Sequence, residues 1–168
     1  MIEYVLCVVV DKEHKTVVLI HKLKPEFQNG KLNCPGGKVE QADYDAFFTD
    51  DNFSNYVMNP NRTSFGAVES ARREFFEEAG VNSVPSTWKH VITMHSSDLN
   101  SNSDKDNWEM YICFNDTLDL SQVKTMETEK VEIFAIDALP KNIMTNLKWI
   151  IPLCLDGKFF EVIQIRER

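Results

Sequence analysis

Three glutamates in the stretch RREFFEEAGV have types and spacing that suit chemistry. Glu74, Glu77 and Glu78 stand at i, i+3 and i+4, so in a helix their carboxylates fall within an arc of about 100°. Like charges at these spacings repel one another, by roughly a few tenths of a kcal/mol per pair in an isolated helix. A hard divalent ion such as Mg²⁺ or Mn²⁺ would offset this repulsion, because it prefers oxygen ligands and takes the remainder from water and phosphates. Taken alone, such a triplet is more often a solvated acidic helix face than a metal site, and the residues around it are what favour the metal site.

The residues around the triplet predict the helix that must carry it. Between residues 64 and 79, apolar side chains recur at spacings of three and four: Val68, Ala71, Phe75 and Ala79. Such a stripe is typical of a helix with one buried face. We expect this helix to begin near Thr63 or Ser64 and to end at Gly80, because glycine commonly follows the last helical residue.

Other segments predict the rest of the fold. β-rich runs at 4–10 and Thr16–His21 flank a polar turn and predict a hairpin. Further strands are expected at four places: 89–95, 108–114, 131–136 and 159–165. A second amphipathic helix is expected at 143–154, kinked or shortened by Pro152. Strands on both sides of a central helix indicate an α/β fold with mixed sheets.

Composition and charge exclude several functions. The chain has 168 residues, enough for one domain that needs no metal or disulfide to fold. Its net charge of −8 argues against stable binding to nucleic-acid phosphates. Four scattered cysteines without a C-x-x-C pair predict buried reduced thiols rather than a zinc site. The first residues read as a strand rather than a signal peptide, and no apolar stretch approaches the roughly 18 residues of a membrane span, so we expect a cytoplasmic protein.

The triplet and its surroundings resemble a known signature. The Nudix hydrolases carry a signature that begins with Gly, followed by any five residues, Glu and any seven residues. It ends with R-E-U-x-E-E-x-G-U, where U is a bulky aliphatic residue. Residues 73–81 match the second half, with Phe75 in the place of an aliphatic residue. The first half begins at Gly37 and has Asp43 in the place of its glutamate, and residues 66–72 supply the seven-residue spacer.

The two halves are separated by 22 residues, 44–65, which we call the intervening segment. Removing it restores the register of the whole signature, so the chain resembles the MutT-like branch of the Nudix hydrolases with an insertion. The resemblance implies a single Nudix domain over residues 1–168. It also implies an α/β/α sandwich around a mixed β-sheet.

The resemblance assigns roles to residues of this chain. Glu74, Glu77 and Glu78 would hold Mg²⁺ or Mn²⁺, and Arg73 would orient these carboxylates by charge-assisted hydrogen bonds. Arg73, Glu74 and Glu77 are therefore the catalytic candidates. The substrate-binding candidates are Asn33, Gly36, Gly37, Lys38 and Trp149. Gly37 in particular would let the backbone approach the site closely.

Nudix enzymes cleave a nucleoside diphosphate linked to another group by attack of water on phosphorus, which implies a small nucleotide substrate. Metal ions neutralise phosphate oxygens and lower the pKa of water, while a nearby carboxylate accepts its proton. Glu77 is one candidate for that base. Asp104, Asp106 and Glu109 are others, each with a solvated surface position as its alternative.

Two segments bear on the substrate. KLNCPGGK, residues 31–38, resembles the stretch in nucleoside triphosphate hydrolases where an Asn at the position of Asn33 contacts the base. Residues 146–157 resemble the late helix that closes the base pocket, where Trp149 is either a stacking platform or a core residue. Thr145 and Asn146 replace the usual acidic pair, so the resemblance does not extend to oxidised purines.

These segments lead us to expect cleavage of (deoxy)nucleoside triphosphates to monophosphate and pyrophosphate. ADP-ribose or a dinucleoside polyphosphate is the alternative substrate. A catalytically silent nucleotide sensor is the alternative function.

The intervening segment is rich in side chains that favour burial: Tyr44, Phe47, Phe48, Phe53, Tyr56, Val57, Met58 and Phe65. It packs on the parent domain, shapes the substrate site as a lid, or forms a homodimer contact, and the sequence leaves these three open. Part of this segment and residues 96–107 are expected to be the least ordered.

Overall fold

A computed structural model describes residues 1–49, 62–96, 107–157 and 163–167. These residues form seven strands and three α-helices. The strands are β1 (Ile2–Asp11), β2 (Thr16–His21), β3 (Leu32–Asn33), β4 (Lys89–Ser96), β5 (Trp108–Asn115), β6 (Val131–Ala135) and β7 (Ile163–Glu167). The helices are α1 (Gln41–Thr49), α2 (Arg62–Ala79) and α3 (Leu147–Asp156).

Strand β1 joins two groups of strands. In the first group β1 and β5 run parallel, β4 is antiparallel to β5, and β7 is parallel to β4. In the second group β2 pairs antiparallel with β6 and with the short β3. β1 meets β2 through two residue pairs beside their connecting turn, Val10 with Val17 and Asp11 with Thr16. Strand directions are mixed, as the sequence predicts.

Alternation along β1 sends its side chains into two separate cores. The odd-numbered residues belong to the core under α2 and the even-numbered ones to the core under α3: Val5, Cys7 and Val9 on one side, Leu6, Val8 and Val10 on the other. A continuous apolar run is what a strand covered on both faces requires. The predicted α/β/α sandwich is therefore confirmed.

Helix α2 carries the predicted apolar stripe. Ala71, Phe75 and Ala79 are fully buried. The ring of Phe75 meets Trp88 edge-on with ring centroids 5.8 Å apart, so the core accommodates an aromatic residue where the Nudix signature has an aliphatic one. Gly80 follows the helix with a φ of 72°, and its N–H donates to the carbonyl of Phe76. The helix and its end at Gly80 are confirmed, with its start at Arg62.

The predicted strands agree closely with the structure where it describes them. The strands predicted at 4–10, 16–21, 89–95, 108–114 and 131–136 are β1, β2, β4, β5 and β6, with ends that differ by two residues at most. The last predicted strand, 159–165, is described only from Ile163 onward, as β7 (Ile163–Glu167), because residues 158–162 lie outside the described residues. All four cysteines are free and buried, as predicted.

The prediction for the second helix is wrong at its start. Helix α3 begins at Leu147 rather than at Ile143, because the chain there is used as the edge of a sheet. Ile143 forms an isolated parallel bridge with Leu32, whose carbonyl accepts from the N–H of Met144 at 2.8 Å. Pro152 does not end the helix, which continues to Asp156, and lies on its exposed side.

Helix α1 is not predicted by the sequence pattern, yet it includes residues 44–49 of the intervening segment. Its start is a reciprocal pair of hydrogen bonds: the N–H of Asp43 donates to the carbonyl of Glu40 at 3.1 Å, and the N–H of Glu40 donates to Asp43 Oδ2 at 2.8 Å. Such a pair satisfies backbone groups that a helix start otherwise leaves free.

Several predicted features fall outside the described residues. Residues 50–61, with Phe53, Tyr56, Val57 and Met58, are among them, and so are residues 97–106, with Asp104 and Asp106. The expected disorder of these segments is therefore not tested. Among the described residues, no helix combines the length and apolar character that crossing a bilayer requires.

His90 on β4 is expected to make the fold acid-sensitive. Its Nε2 lies 2.9 Å from Thr93 Oγ1, and its ring packs edge-on against Tyr111. Burial lowers the pKa of His90 to about 4, from an ordinary value of 6.5. The unfolded chain therefore binds a proton at a higher pH than the folded chain does. The contribution of neutral, buried His90 to the free energy of unfolding is complete above pH 6.5 and is lost as pH falls toward 4.

Urea unfolding at pH 7.5, 5.5 and 4.5 measures this effect. Between pH 7.5 and 4.5, the titration of His90 should lower the unfolding free energy of wild type by about 2–3 kcal/mol. In His90→Gln this part of the pH dependence should be absent. His14→Gln is the control, because the neighbouring Asp11 raises the pKa of His14 and gives a slope of opposite sign. An unchanged pH slope in His90→Gln would contradict the assignment.

Candidate active site

A glycine loop passes between β1 and the carboxylates of α2. The N–H of Val5 donates to the carbonyl of Gly37 at 2.9 Å, which fixes the loop against the strand. Gly36 has a φ of 149°, and a Cβ there would lie 2.2 Å from the carbonyl oxygen of Val5. A Cβ on Gly37 would lie 2.4 Å from both carboxylate oxygens of Glu74. Glycine is therefore required at position 36, where the clash is with backbone, whereas at position 37 an added Cβ would have to displace the carboxylate of Glu74.

Arg73 joins the two halves of the split motif. Its Nε and Nη2 donate to the two oxygens of Asp43 at 2.8 and 3.0 Å. Its Nη1 lies 2.8 Å from Glu74 Oε1 and 2.9 Å from Glu77 Oε2. Nη2 also donates to the carbonyl of Lys38 at 2.9 Å. Four of these contacts are hydrogen bonds and the contact with Glu74 is an ion pair, so the guanidinium uses most of its five N–H donors in holding the site together.

Glu78 is held apart from this arrangement. It is buried, and its Oε2 accepts a hydrogen bond from the N–H of Gly36 at 2.7 Å. Burial raises its pKa to about 7, against the lowering effect of the Gly36 N–H. Burial also raises the pKa of Glu74, which Arg73 opposes. The side chain of Glu77 is 46% exposed and faces solvent. The triplet thus combines two desolvated carboxylates with one that water reaches.

The donor set fits a hard divalent ion. Three oxygen donors on adjacent turns of one helix, two of them poorly solvated, are anions that a bound cation stabilises. Within the described part of the chain, no three acidic, histidine or cysteine side chains converge closely enough to hold an ion as they stand. The reason is that Arg73 draws Glu74 and Glu77 to itself while Glu78 is bonded to Gly36.

Solved structures of similar fold include MutT and Nudix proteins. A MutT protein from Bacillus halodurans is 19% identical, with a TM-score of 0.59 over 99% of this chain and 87% of that one. The Nudix domain of NrtR from Shewanella oneidensis, complexed with ADP ribose, is 13% identical, with a TM-score of 0.57 over 92% of this chain and 86% of that one. The chain has the Nudix fold.

A third similar structure contains a metal. It is a bifunctional NMN adenylyltransferase/ADP ribose pyrophosphatase from Francisella tularensis, complexed with AMP and a Mn ion. It is 13% identical, with a TM-score of 0.55 over 93% of this chain and 41% of that one. No protein-family model and no curated protein sequence matches the chain.

On this Nudix fold, the predicted substrate residues are spread over different elements. Asn33 is 8% exposed, and both ends of its amide are bonded: Nδ2 donates to Gln28 Oε1 at 3.2 Å, and Oδ1 accepts from the N–H of Cys34. Trp149 on α3 is 37% exposed and is not a core residue. The side chain of Lys38 is exposed, and the backbone carbonyl of the same residue accepts from Arg73. Asn33 is thus committed to the protein, while Lys38 and Trp149 remain accessible.

Glu109, a candidate for the base, is also committed. Its Oε2 lies 2.7 Å from the hydroxyl of Tyr111 and its Oε1 lies 2.9 Å from His95 Nδ1. The same Tyr111 hydroxyl lies 2.6 Å from Glu3 Oε1, and the Tyr44 hydroxyl donates to Glu3 Oε2 at 2.9 Å. Glu109 therefore belongs to a polar network on the sheet, and Glu77 is the described candidate whose carboxylate faces solvent.

The sequence does not reveal which contacts Asp43 makes, nor that Tyr44 and Glu3 belong to the polar network beside the site. Asp43 is 3% exposed and binds Arg73 through both oxygens despite being one methylene shorter than glutamate. The spacing of the signature is enough to identify Asp43 as a candidate site residue. Its geometry depends on helix α1, which brings the backbone near enough for the shorter side chain.

Gly37→Ala is expected to impair the site without unfolding the protein. The new Cβ would displace the carboxylate of Glu74, which is the flexible end of a side chain. We expect metal-dependent activity to fall by about 10–100-fold, as when groups around a metal ligand are disturbed. Gly30→Ala is the control, because it strains a turn with φ of 76° but meets no atom within 4 Å. Equal activity of Gly37→Ala and wild type, measured at several Mg²⁺ concentrations, would contradict the prediction.

Proposed function

We propose that this protein is a metal-dependent hydrolase that cleaves nucleoside diphosphates linked to another group. Its proposed substrates are (deoxy)nucleoside triphosphates, cleaved to monophosphate and pyrophosphate. The observation that carries the proposal is the convergence of Asp43, Glu74 and Glu77 on Arg73, with the carboxylate of Glu74 beside Gly37. Acidic residues from both halves of the signature meet there although the intervening segment separates them.

Each residue of the site has a part in the proposed reaction. A divalent ion, Mg²⁺ or Mn²⁺, supplies positive charge to the phosphate oxygens and lowers the pKa of a water molecule. Glu74, Glu77 and Glu78 would hold the ion. Arg73 keeps Glu74 and Glu77 in place, and the half-exposed Glu77 accepts the proton of the attacking water. The exposed ammonium of Lys38 stands on the glycine loop, where it would attract phosphate.

The charge of the chain favours free nucleotides over nucleic acid as the substrate. A net charge of −8 argues against binding to a nucleic-acid backbone, whereas a metal ion is sufficient for one polyphosphate. The cytoplasm, where such nucleotides are found with Mg²⁺, remains the proposed location.

ADP-ribose is the second candidate substrate. Two proteins of similar fold are associated with it: one is complexed with ADP ribose and the other is an ADP ribose pyrophosphatase. A silent nucleotide sensor is disfavoured, because all three glutamates of the signature are present.

Incubation with a nucleotide panel in Mg²⁺ tests the proposal. The panel contains the common (deoxy)nucleoside triphosphates, ADP-ribose and a dinucleoside polyphosphate, and the products are separated by chromatography. Monophosphate and pyrophosphate in equal amounts are expected from the triphosphates. AMP and ribose phosphate from ADP-ribose alone would favour the second candidate.

The Glu77→Gln protein, purified in parallel, controls for contaminating phosphatases. An inert panel with both Mg²⁺ and Mn²⁺ would refute hydrolysis altogether.

A further inference from the structure

We propose that Tyr44, the first residue of the intervening segment, is a positioning residue for the candidate metal-binding glutamates. The inference deepens the proposed function and rests on it for the identity of the metal site. It also gives the beginning of the intervening segment a role in the chemistry, where the sequence left packing, a lid and a dimer contact open.

Two contacts fix Tyr44 against the body of the domain. Its hydroxyl donates to Glu3 Oε2 at 2.9 Å, at the start of β1. Its ring lies on Gly66 in α2, where an added Cβ would come within 2.2 Å of a ring carbon. Glycine inside a helix costs about 1 kcal/mol relative to alanine, so its presence on α2 is accounted for by the ring that covers it.

Glu3 is itself held firmly. Its second oxygen lies 2.6 Å from the hydroxyl of Tyr111, and its carbonyl accepts from the N–H of Val39 at 3.0 Å. Tyr111 is 1% exposed within the core under α2. The Tyr44 hydroxyl is thus bonded to a fixed point of the sheet.

Tyr44 directly follows Asp43 in helix α1, so fixing the ring of Tyr44 fixes the backbone that carries Asp43. Asp43 holds the guanidinium of Arg73 through two hydrogen bonds, and Arg73 holds Glu74 and Glu77. Tyr44 is linked to Asp43 through the backbone, and the steps from Asp43 to Arg73 and on to the glutamates are direct contacts. Residues that orient ligands in this way influence metal affinity without touching the metal.

Four variants separate this role from simple packing. Tyr44→Phe keeps the ring on Gly66 but removes the hydrogen bond to Glu3, and Tyr44→Ala removes both contacts. Gly66→Ala pushes the ring away from the opposite side, while raising the helix propensity of α2. Gln41→Ala is the matched control, because Gln41 is exposed on the same helix and bonds only to Asp45 among the described contacts.

Mn²⁺ binding to each protein is measured without nucleotide, by electron paramagnetic resonance of the free ion. The Mg²⁺ concentration for half-maximal hydrolysis and the melting temperature are measured in parallel. We expect Tyr44→Ala and Gly66→Ala to weaken Mn²⁺ binding by about tenfold, and Tyr44→Phe by about threefold. Gln41→Ala should bind as wild type does, and excess Mg²⁺ should restore most of the activity of the Tyr44 variants.

Combining Gly66→Ala with Tyr44→Ala gives a further measurement. With the ring absent, the added methyl has room, so the double variant should bind Mn²⁺ no more weakly than Tyr44→Ala alone. Additive losses would show that the two residues act independently and would overturn the inference.

A merely structural role would lower the melting temperature of the Tyr44 variants and leave their Mn²⁺ affinity unchanged, which also overturns the inference. If Tyr44→Ala fails to fold, Tyr44→Phe decides by the same criterion. An inert nucleotide panel with normal Mn²⁺ binding by wild type would refute the proposed function alone. Active wild type with unaltered Mn²⁺ binding in every variant would refute the positioning role alone.

Discussion

Glu77→Gln is expected to lower kcat by about 10³-fold, the range for loss of a proton-accepting group, and to leave the melting temperature within about 2 °C. The fold tolerates the change because Glu77 is half-exposed and packs in no core. The amide oxygen can still accept from Arg73, so the helix keeps its contacts. What is lost is a negative charge for the metal and a group that accepts a proton. Steady-state hydrolysis in Mg²⁺, with thermal unfolding of the same preparation, measures both effects.

The matched control for this substitution is Glu13→Gln, an equal change of charge in the exposed turn between β1 and β2. It should leave both quantities as in wild type. Activity of Glu77→Gln within about threefold of wild type would refute its role as base, which would then have to lie elsewhere in the chain.

Arg73→Gln is expected to reduce both stability and activity. It leaves Asp43, which is 3% exposed, without the partner for its charge. Removing one partner of a buried ion pair costs about 3–5 kcal/mol, and we expect about 3 because Arg73 is partly exposed. Activity should fall by about 100-fold, since Glu74 and Glu77 lose the group that orients them. Urea unfolding and hydrolysis rates measure the two losses.

A second substitution separates the two effects. Adding Asp43→Asn to Arg73→Gln removes the unpaired charge, so part of the stability should return while activity stays low. Arg72→Gln is the matched control. Arg72 directly precedes Arg73 in α2, and its Nε pairs with the buried carboxylate of Glu69 at 2.9 Å. That variant should lose stability yet keep its Mg²⁺ requirement. If the double variant is as unstable as Arg73→Gln, the loss arises from something other than the charge of Asp43.

The substitution of aspartate for the signature glutamate shows how local and tertiary information differ. The sequence places Asp43 at the right spacing but predicts a shorter reach. In the structure, residues 41–49 are helical and Asp43 sits in the first turn, bonded to the N–H of Glu40 as well as to Arg73. The missing methylene is compensated by the path of the backbone, which depends on contacts between residues far apart in the chain.

The two helices that flank the motif differ from the sequence pattern for related reasons. Helix α1 is short and lacks a clear apolar period, so its formation depends on its capping pair and on the contact of Tyr44 with Gly66 and Glu3. Residues 143 and 144 fit a helical stripe, but their backbone is bonded to Leu32. In both places a long-range contact decides the conformation, and periodicity does not report such contacts.

The sequence by itself determined the helix that ends at Gly80, the positions of β1, β2, β4, β5 and β6, and the three glutamates on one side of that helix. These features follow from local spacing, because side-chain direction in helices and strands has a fixed period. Only the tertiary structure decided which carboxylates Arg73 holds and why Glu78 is bonded to Gly36. It also decided how the two halves of the signature, within residues 34–43 and 72–81, meet. Those outcomes depend on the distances between α1, α2 and the glycine loop, which the packing of the sandwich sets.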